Sequence, residues 1–310
     1  MTAPVRPELP PLTLTWVDSR LLDGEHVIRS EVLREGVTAE MRRLTIRRQG
    51  SATRELVLRT VVGVAHAEEW LTREAGALRM LAAADGVPAP ELVAVDAKGV
   101  ACAHPSLLMT LRPGRAVYGD AGLEERVPLL ARQLVAIHGL RPERRPPVFT
   151  TLTTAESVVV PAGADAGVWA GAREVLRGPV PAYEGRYLHR DFHPGNVLFD
   201  GPRITGVVDW AQPSWGPADL DVAHLCTTLA LLHGPPWAAR VAEAYEEAGG
   251  VLAGSAGARW YWRLRDALAV SEELELFARP WREAGRTELT PGVVAGRLDA
   301  YVTGLMEERG

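Results

Sequence analysis

Apolar and polar positions alternate in short runs along the first third of the chain. His26–Glu35, Glu40–Arg48 and Arg54–Val62 are rich in Val, Ile, Leu and Thr, with turn signals at Glu35-Gly36 and Gln49-Gly50-Ser51 between them. That pattern predicts an antiparallel meander. From Ala67 to Ala84 the period becomes helical, with Trp70, Leu71, Ala77, Leu78 and Leu81 on one face. Val87-Pro88-Ala89-Pro90 then breaks the chain, and Glu91–Val95 and Ser106–Leu111 read as two more strands. Beyond Arg112-Pro113-Gly114-Arg115 the pattern predicts helices over 120–139, 165–177, 217–233, 236–248, 258–278 and 291–307. A turn-rich stretch, 186–216, interrupts them with short strands at Val197–Phe199 and Ile204–Val208. The expectation is an α+β chain of two parts: residues 1–112, an antiparallel sheet with one helix, and residues 113–310, larger and mainly helical.

Composition narrows the class. A length of 310 residues suits two packed units. The net charge of −5 provides no positive field for nucleic acid. No run reaches the ~18 apolar residues that span a bilayer. The first residues lack the apolar core of a secretory signal, so a cytoplasmic location is expected. Two cysteines, Cys102 and Cys226, cannot build a disulfide framework. Of 34 basic residues only Lys98 is a lysine, in the turn-like Asp96-Ala97-Lys98-Gly99. Any chemistry in the first part that needs a buried cation must therefore use arginine.

The densest chemistry lies in Leu188–Phe199 and Ile204–Trp210. Asp191, His193 and Asn196 sit between apolar segments, the Pro194-Gly195 turn folds the loop back, and Asp209 ends an apolar strand. A returning strand can bring Asp209 toward Asp191 and Asn196. Carboxylate and amide oxygens meeting at one point suit a hard cation such as Mg²⁺, and a further carboxylate can orient a hydroxyl and accept its proton. The spacing, five residues from Asp191 to Asn196 and eighteen from Asp191 to Asp209, agrees with a phosphoryl-transfer template. A turn-rich surface hairpin that merely attracts Asp and Asn is the plain alternative.

The first part carries a second feature. Glu74 falls on the apolar stripe of the predicted helix, and Arg59 shares a strand face with Val57 and Val61. A buried carboxylate needs a partner, so the two are expected to pair. A strand cation and a helix carboxylate are also how kinases hold nucleotide phosphates, although a purely structural ion pair reads the same way. Gly36 would let backbone N–H groups approach a phosphate, with the Thr38 hydroxyl as a further donor, or it would serve an ordinary hairpin turn.

His189–Asn196, Val208-Asp209-Trp210 and Gly216–Ala223 together resemble the aminoglycoside phosphotransferase/choline-kinase-like family. Arg73–Leu78, Val87–Pro90, Leu107–Gly114 and Leu130–His138 extend the resemblance over about residues 30 to 275. The resemblance implies a bilobal, protein-kinase-like fold and transfer of the γ-phosphoryl group of ATP or GTP to a hydroxyl of a small molecule. It implies Asp191 as catalytic base, Asn196 and Asp209 as Mg²⁺ ligands, and Arg59 with Glu74 on the phosphates. It further implies Met109–Leu111 as the hinge strand against adenine and Asp221 as a brace for the catalytic loop. The chain departs from the family's pattern twice. Arg190 stands where the family usually has glycine, and Arg59 where it has lysine. His193 stands where protein kinases carry lysine, which favours the small-molecule branch. Only eight positions separate Asp209 from Pro217, too few for a long activation segment, so no peptide-docking platform is expected.

Two other classes compete. A non-catalytic nucleotide-binding protein of the same fold would keep the loop but not its turnover. His189-Arg190-Asp191-Phe192-His193 also fits H-x-D-x-H, the start of a zinc hydrolase site. The remaining histidines, at 26, 66, 104, 138, 224 and 233, form no second ligand cluster in the sequence. Two features bear on the acceptor. Glu272, Glu273 and Glu275 offer either an acidic patch for a cationic acceptor or a solvated helix face, and Trp260, Tyr261, Trp262 and Trp281 either line a cleft or pack the helices.

Overall fold

Five antiparallel strands, paired in the order β1-β2-β3-β5-β4, build the first unit. They are β1 (Glu25–Leu33), β2 (Glu40–Arg48), β3 (Arg54–Thr60), β4 (Leu92–Asp96) and β5 (Ser106–Thr110). The computed structural model describes residues 9–33, 39–48, 50, 52–151 and 153–309. Gly36 and Thr38 lie outside the described residues. Alternation decides which face each side chain takes. Leu44, Ile46, Leu56, Leu58 and Leu108 meet Val27 and Cys102, and Trp16 and Val17 of α1 (Pro11–Asp18) close this cluster. Val57 and Arg59 project to the opposite face, on the side that α2 (Ala67–Leu81) covers through Glu74. Strand β3 is thus buried on both faces from Leu56 to Arg59.

The chain divides into Met1–Pro113 with Gly206–Gln212, and Gly114–Thr205 with Pro213–Gly310. The short return segment is tied to the first unit by the Val207 N–H, which donates to the Pro88 carbonyl at 2.9 Å. Trp210, fully buried, locks the segment's own turn by donating from its indole nitrogen to the Val207 carbonyl.

Seven helices dominate the second unit: α3 (Leu123–His138), α4 (Ala166–Arg177), α5 (Ala218–His233), α6 (Pro236–Glu247), α7 (Ala256–Val270), α8 (Leu274–Glu283) and α9 (Pro291–Glu307). Every residue of α5 from Ala218 to Leu232 is buried. A helix buried all round belongs at a core centre, and α6, α7 and α9 pack around α5. Two small β elements hold the polar loops. Strand β6 (Arg186–Leu188) pairs with β9 (Ser214–Gly216), and β7 (Val197–Asp200) with β8 (Arg203–Val207). Gly114 opens this unit at φ +100°, where a Cβ would stand 2.7 Å from the Phe199 carbonyl oxygen, so only glycine fits there.

Three features differ from the sequence reading. The helix expected over 258–278 is two helices. Ser271 Oγ donates to the Leu268 carbonyl and accepts from the Val159 N–H, and such local bonding competes with helix continuation. Glu272 and Glu273 consequently leave the helix, and Glu272 accepts from Ser157 Oγ at 2.9 Å. Helix α1 follows a proline-rich start that offered no periodicity, and β6 and β9 are three-residue strands too short for alternation to show. Trp260, Tyr261, Trp262 and Trp281 are all buried and pack the helices.

Candidate active site

Strand β6 ends at Leu188, and the chain then makes a tight polar turn. Its backbone is unusual. Among the described residues only Arg190, at φ +77°, and Asp209, at φ +62°, are non-glycines in the left-handed region. That conformation costs roughly 1–3 kcal/mol and persists only where surroundings impose it. At Arg190 the imposing group is Asp221 near the start of α5. Its two carboxylate oxygens accept from the His189 N–H at 2.7 Å and the Arg190 N–H at 2.9 Å. Asp221 is fully buried. Desolvation would raise its pKa, but the hydrogen bond from His138 and the His138 and His189 imidazoles outweigh it and hold the carboxyl below its ordinary range. His138 lies 3.3 Å from Asp221 and is itself fixed by Tyr245 Oη at 2.7 Å. Asp221 therefore braces the loop through two backbone donors, beyond the role of a carboxylate at a helix start.

That brace presents Asp191. Asn196, reached through a 3₁₀ turn at Pro194–Asn196, donates from Nδ2 to the Asp191 carbonyl and to Asp191 Oδ2, both at 2.9 Å. With its amide nitrogen spent in this way, the Asn196 Oδ1 is left as an acceptor, the donor type a hard cation selects. His193 turns its Nδ1 back to accept the Gly195 N–H at 3.0 Å. Asp191 Oδ1 faces two imidazoles, with His224 Nε2 at 3.4 Å and His193 Nε2 at 3.6 Å. Desolvation would raise Asp191, but those two rings outweigh it and hold the carboxyl well below the usual carboxylate range. The carboxylate is ionised and can accept a proton.

In the first unit the sequence-predicted pair forms. Arg59 Nη1 donates to both Glu74 oxygens at 3.1 Å and to Asp209 Oδ1 at 2.8 Å. Arg59 and Glu74 are 5% and 1% exposed, whereas the Asp209 side chain is 37% exposed. Burial pushes the Glu74 carboxyl up to about 7 against the pull of Arg59. The register places Arg59 between Met41 and Leu107, both uncharged. Glu74 and Asp209 both supply countercharge to it. Met109, buried, pairs with Val57, and the Leu111 N–H reaches the Glu55 carbonyl at the end of β5.

The zinc arrangement gains nothing from the geometry. His189 is buried, its Nδ1 accepts the Asp191 N–H at 3.3 Å, and its ring packs edge-on against Phe192. Among the described residues no three His, Cys, Asp or Glu side chains gather as metal ligands. His224, which stood alone in the sequence, does join a cluster: Asp191, His193 and Asp266 surround it. The signal was a histidine in a mostly apolar helix, but its partners lie 31, 33 and 42 residues away and no local spacing shows them.

A model of a family of phosphotransferase enzymes matches residues 35–261. Among solved structures, macrolide 2′-phosphotransferase MphH from Brachybacterium faecium superposes with a TM-score of 0.60 at 17% identity, covering 92% of this chain and 97% of its own. A thermostable mutant of aminoglycoside phosphotransferase APH(4)-Ia, in complex with ADP and hygromycin B, gives 0.59 at 18% identity over 89% and 94%. An aminoglycoside-3′-phosphotransferase of type VIII gives 0.56 at 24% identity over 82% and 97%. Among curated proteins none matches the chain. No helix among the described residues is long and apolar enough to cross a membrane.

Proposed function

The chain belongs to the phosphotransferase enzyme family, and from that premise we propose that it moves the γ-phosphoryl group of ATP or GTP onto a hydroxyl of a small molecule. One observation carries the proposal. Asn196 is anchored on Asp191 by its amide nitrogen, inside a strained loop braced by Asp221. A carboxylate and a carbonyl-type oxygen are thereby held in fixed relation, with the carboxylate kept ionised.

Each residue has a role. Asp191 orients the acceptor hydroxyl and takes its proton as the new O–P bond forms. The bond from the γ-phosphorus to the bridging oxygen breaks, and the nucleoside diphosphate leaves. Arg59, fixed by Glu74, grips phosphate oxygens, and its planar fork suits two at once where a lysine would meet one. Asn196 Oδ1 and Asp209 would hold Mg²⁺, which when bound neutralises charge on the phosphates. Met109–Leu111 would lie against the base, and Gly36 with Thr38 would cover the phosphates. Positioning and charge neutralisation supply the catalysis.

The acceptor class follows from a direct assay. The protein is incubated with γ-labelled ATP or GTP, Mg²⁺, and a panel of aminoglycosides, macrolides, hydroxylated amines and sugars. The expected result is label in a phosphomonoester of one panel class, lost in Asp191→Ala. Tight nucleotide binding with no transfer and no nucleotide turnover would instead mark a non-catalytic binder.

A further inference from the structure

Helix α5 carries a histidine that the mechanism above does not use. His224 is 8% exposed on a helix whose other inward positions are mostly apolar. One ring nitrogen, Nδ1, lies 3.1 Å from Asp266 Oδ1 on α7, and the other, Nε2, is buried 3.4 Å from Asp191 Oδ1 and meets no hydrogen-bond geometry among the described residues. The ring therefore lies between two carboxylates. Phe277 of α8 closes one side with its ring 5.8 Å from His224 and 6.1 Å from His193. Among the described residues the groups beside the imidazole are Asp191 and His193 on the catalytic loop, Asp266 on α7, and an uncharged phenyl ring on α8.

A neutral imidazole has one N–H and could serve only one carboxylate. Asp266 settles which form is present. Its side chain is 12% exposed, and among the described residues its one ion-pair partner is His224. A largely buried carboxylate calls for a cationic partner, and the His224 ring is the group placed to be one.

We propose that His224, anchored by Asp266, is a doubly protonated positioning residue that fixes the Asp191 carboxylate for the acceptor hydroxyl. The pair is a support from beneath the catalytic loop, and it rests on Asp191 being the catalytic carboxylate. Asn196 donates to one oxygen of Asp191 from the loop side, and the charged ring lies 3.4 Å from the other on the helix side, which disfavours rotation about the Cβ–Cγ bond. Burial alone would lower the His224 pKa, yet the two carboxylates hold it up to about 10. The charge thus persists at neutral pH.

The test has two arms on the full chain. In protein labelled with ¹⁵N at histidine, assigned by loss of one ring in His224→Gln, the His224 ring is expected doubly protonated at about pH 8. In Asp266→Asn its titration is expected to move clearly downward, since one of the two carboxylates that oppose burial is gone. A singly protonated His224 in the wild type at neutral pH would overturn the proposal. In the kinetic arm, His224→Gln is expected to lower kcat for nucleotide turnover roughly 10- to 100-fold while KM for the nucleotide stays within about two-fold. In the Asp191→Ala background the same change adds less than about two-fold, because the group it positions is gone. An unchanged kcat, or an equal loss in both backgrounds, would contradict it, and unaltered nucleotide binding checks that each variant is folded. The two ideas fail separately. Absence of turnover in the wild type overturns Asp191 as the catalytic carboxylate and with it the positioning role, whereas the ring's charge state reports on the Asp266–His224 pair whatever the turnover.

Discussion

Replacing Asp221 by asparagine removes one oxygen from a carboxylate that uses both. Oδ1 accepts the Arg190 N–H at 2.9 Å, and Oδ2 accepts the His189 N–H at 2.7 Å with His138 at 3.3 Å. Asparagine keeps a single acceptor and turns an NH₂ toward a backbone donor. One charge-assisted hydrogen bond is lost, at about 1.5–3 kcal/mol, and a buried N–H is stranded at a further ~1–3 kcal/mol. The expected loss is about 3–5 kcal/mol, near 10 °C in melting temperature for a unit of this size. The pH dependence has a definite sign. The folded carboxyl is held below its unfolded value of ~3.9. Its stabilisation is fully present above that value and fades as pH falls through the lower folded pKa. Thermal melts of wild type and Asp221→Asn should therefore differ most above about pH 4 and converge in stronger acid. A loss below about 1 kcal/mol, or a gap that widens toward acid, would refute the brace.

Arg59→Ala leaves Glu74 buried without its cation and should cost about 3–5 kcal/mol by urea unfolding, much more than Arg59→Lys, which keeps the charge. In Gly114→Ala a methyl group would meet the Phe199 carbonyl at a φ of +100°, so a loss of about 2–3 kcal/mol is expected in the same assay. Asn196→Ala removes both the anchor on Asp191 and an acceptor oxygen. Nucleotide turnover should fall by at least about 100-fold, with a raised Mg²⁺ requirement measured by metal titration.

The sheet was legible because its strands alternate. Glu40–Arg48 has the bounds the pattern predicts, and Arg59 stands out as a charge on a buried face. The partnership of Arg59 with Glu74 was legible for an energetic reason, since two opposite charges in apolar surroundings have to meet. The loop carrying Asp191 and Asn196 was visible through short-range spacing. What escaped depends on distant pairs or very short elements. Ser271 ends α7 through bonds to Leu268 and Val159, and nothing in 258–278 alone discloses the second of these. His224 looked solitary because Asp191 and Asp266 reach it only through the packing of α5, α7 and the loop. Gly36 and Thr38 stay with the sequence alone.

The most direct measurement follows ³¹P signals of Mg²⁺-loaded ATP or GTP with the acceptor that the panel identifies, for wild type and Asp191→Ala at equal concentration. A new phosphomonoester resonance that grows in step with nucleoside diphosphate, and is slowed at least about 1,000-fold by the substitution, is the predicted outcome. Equal rates in the two proteins would contradict the assignment of Asp191, and with it the account of how this loop works.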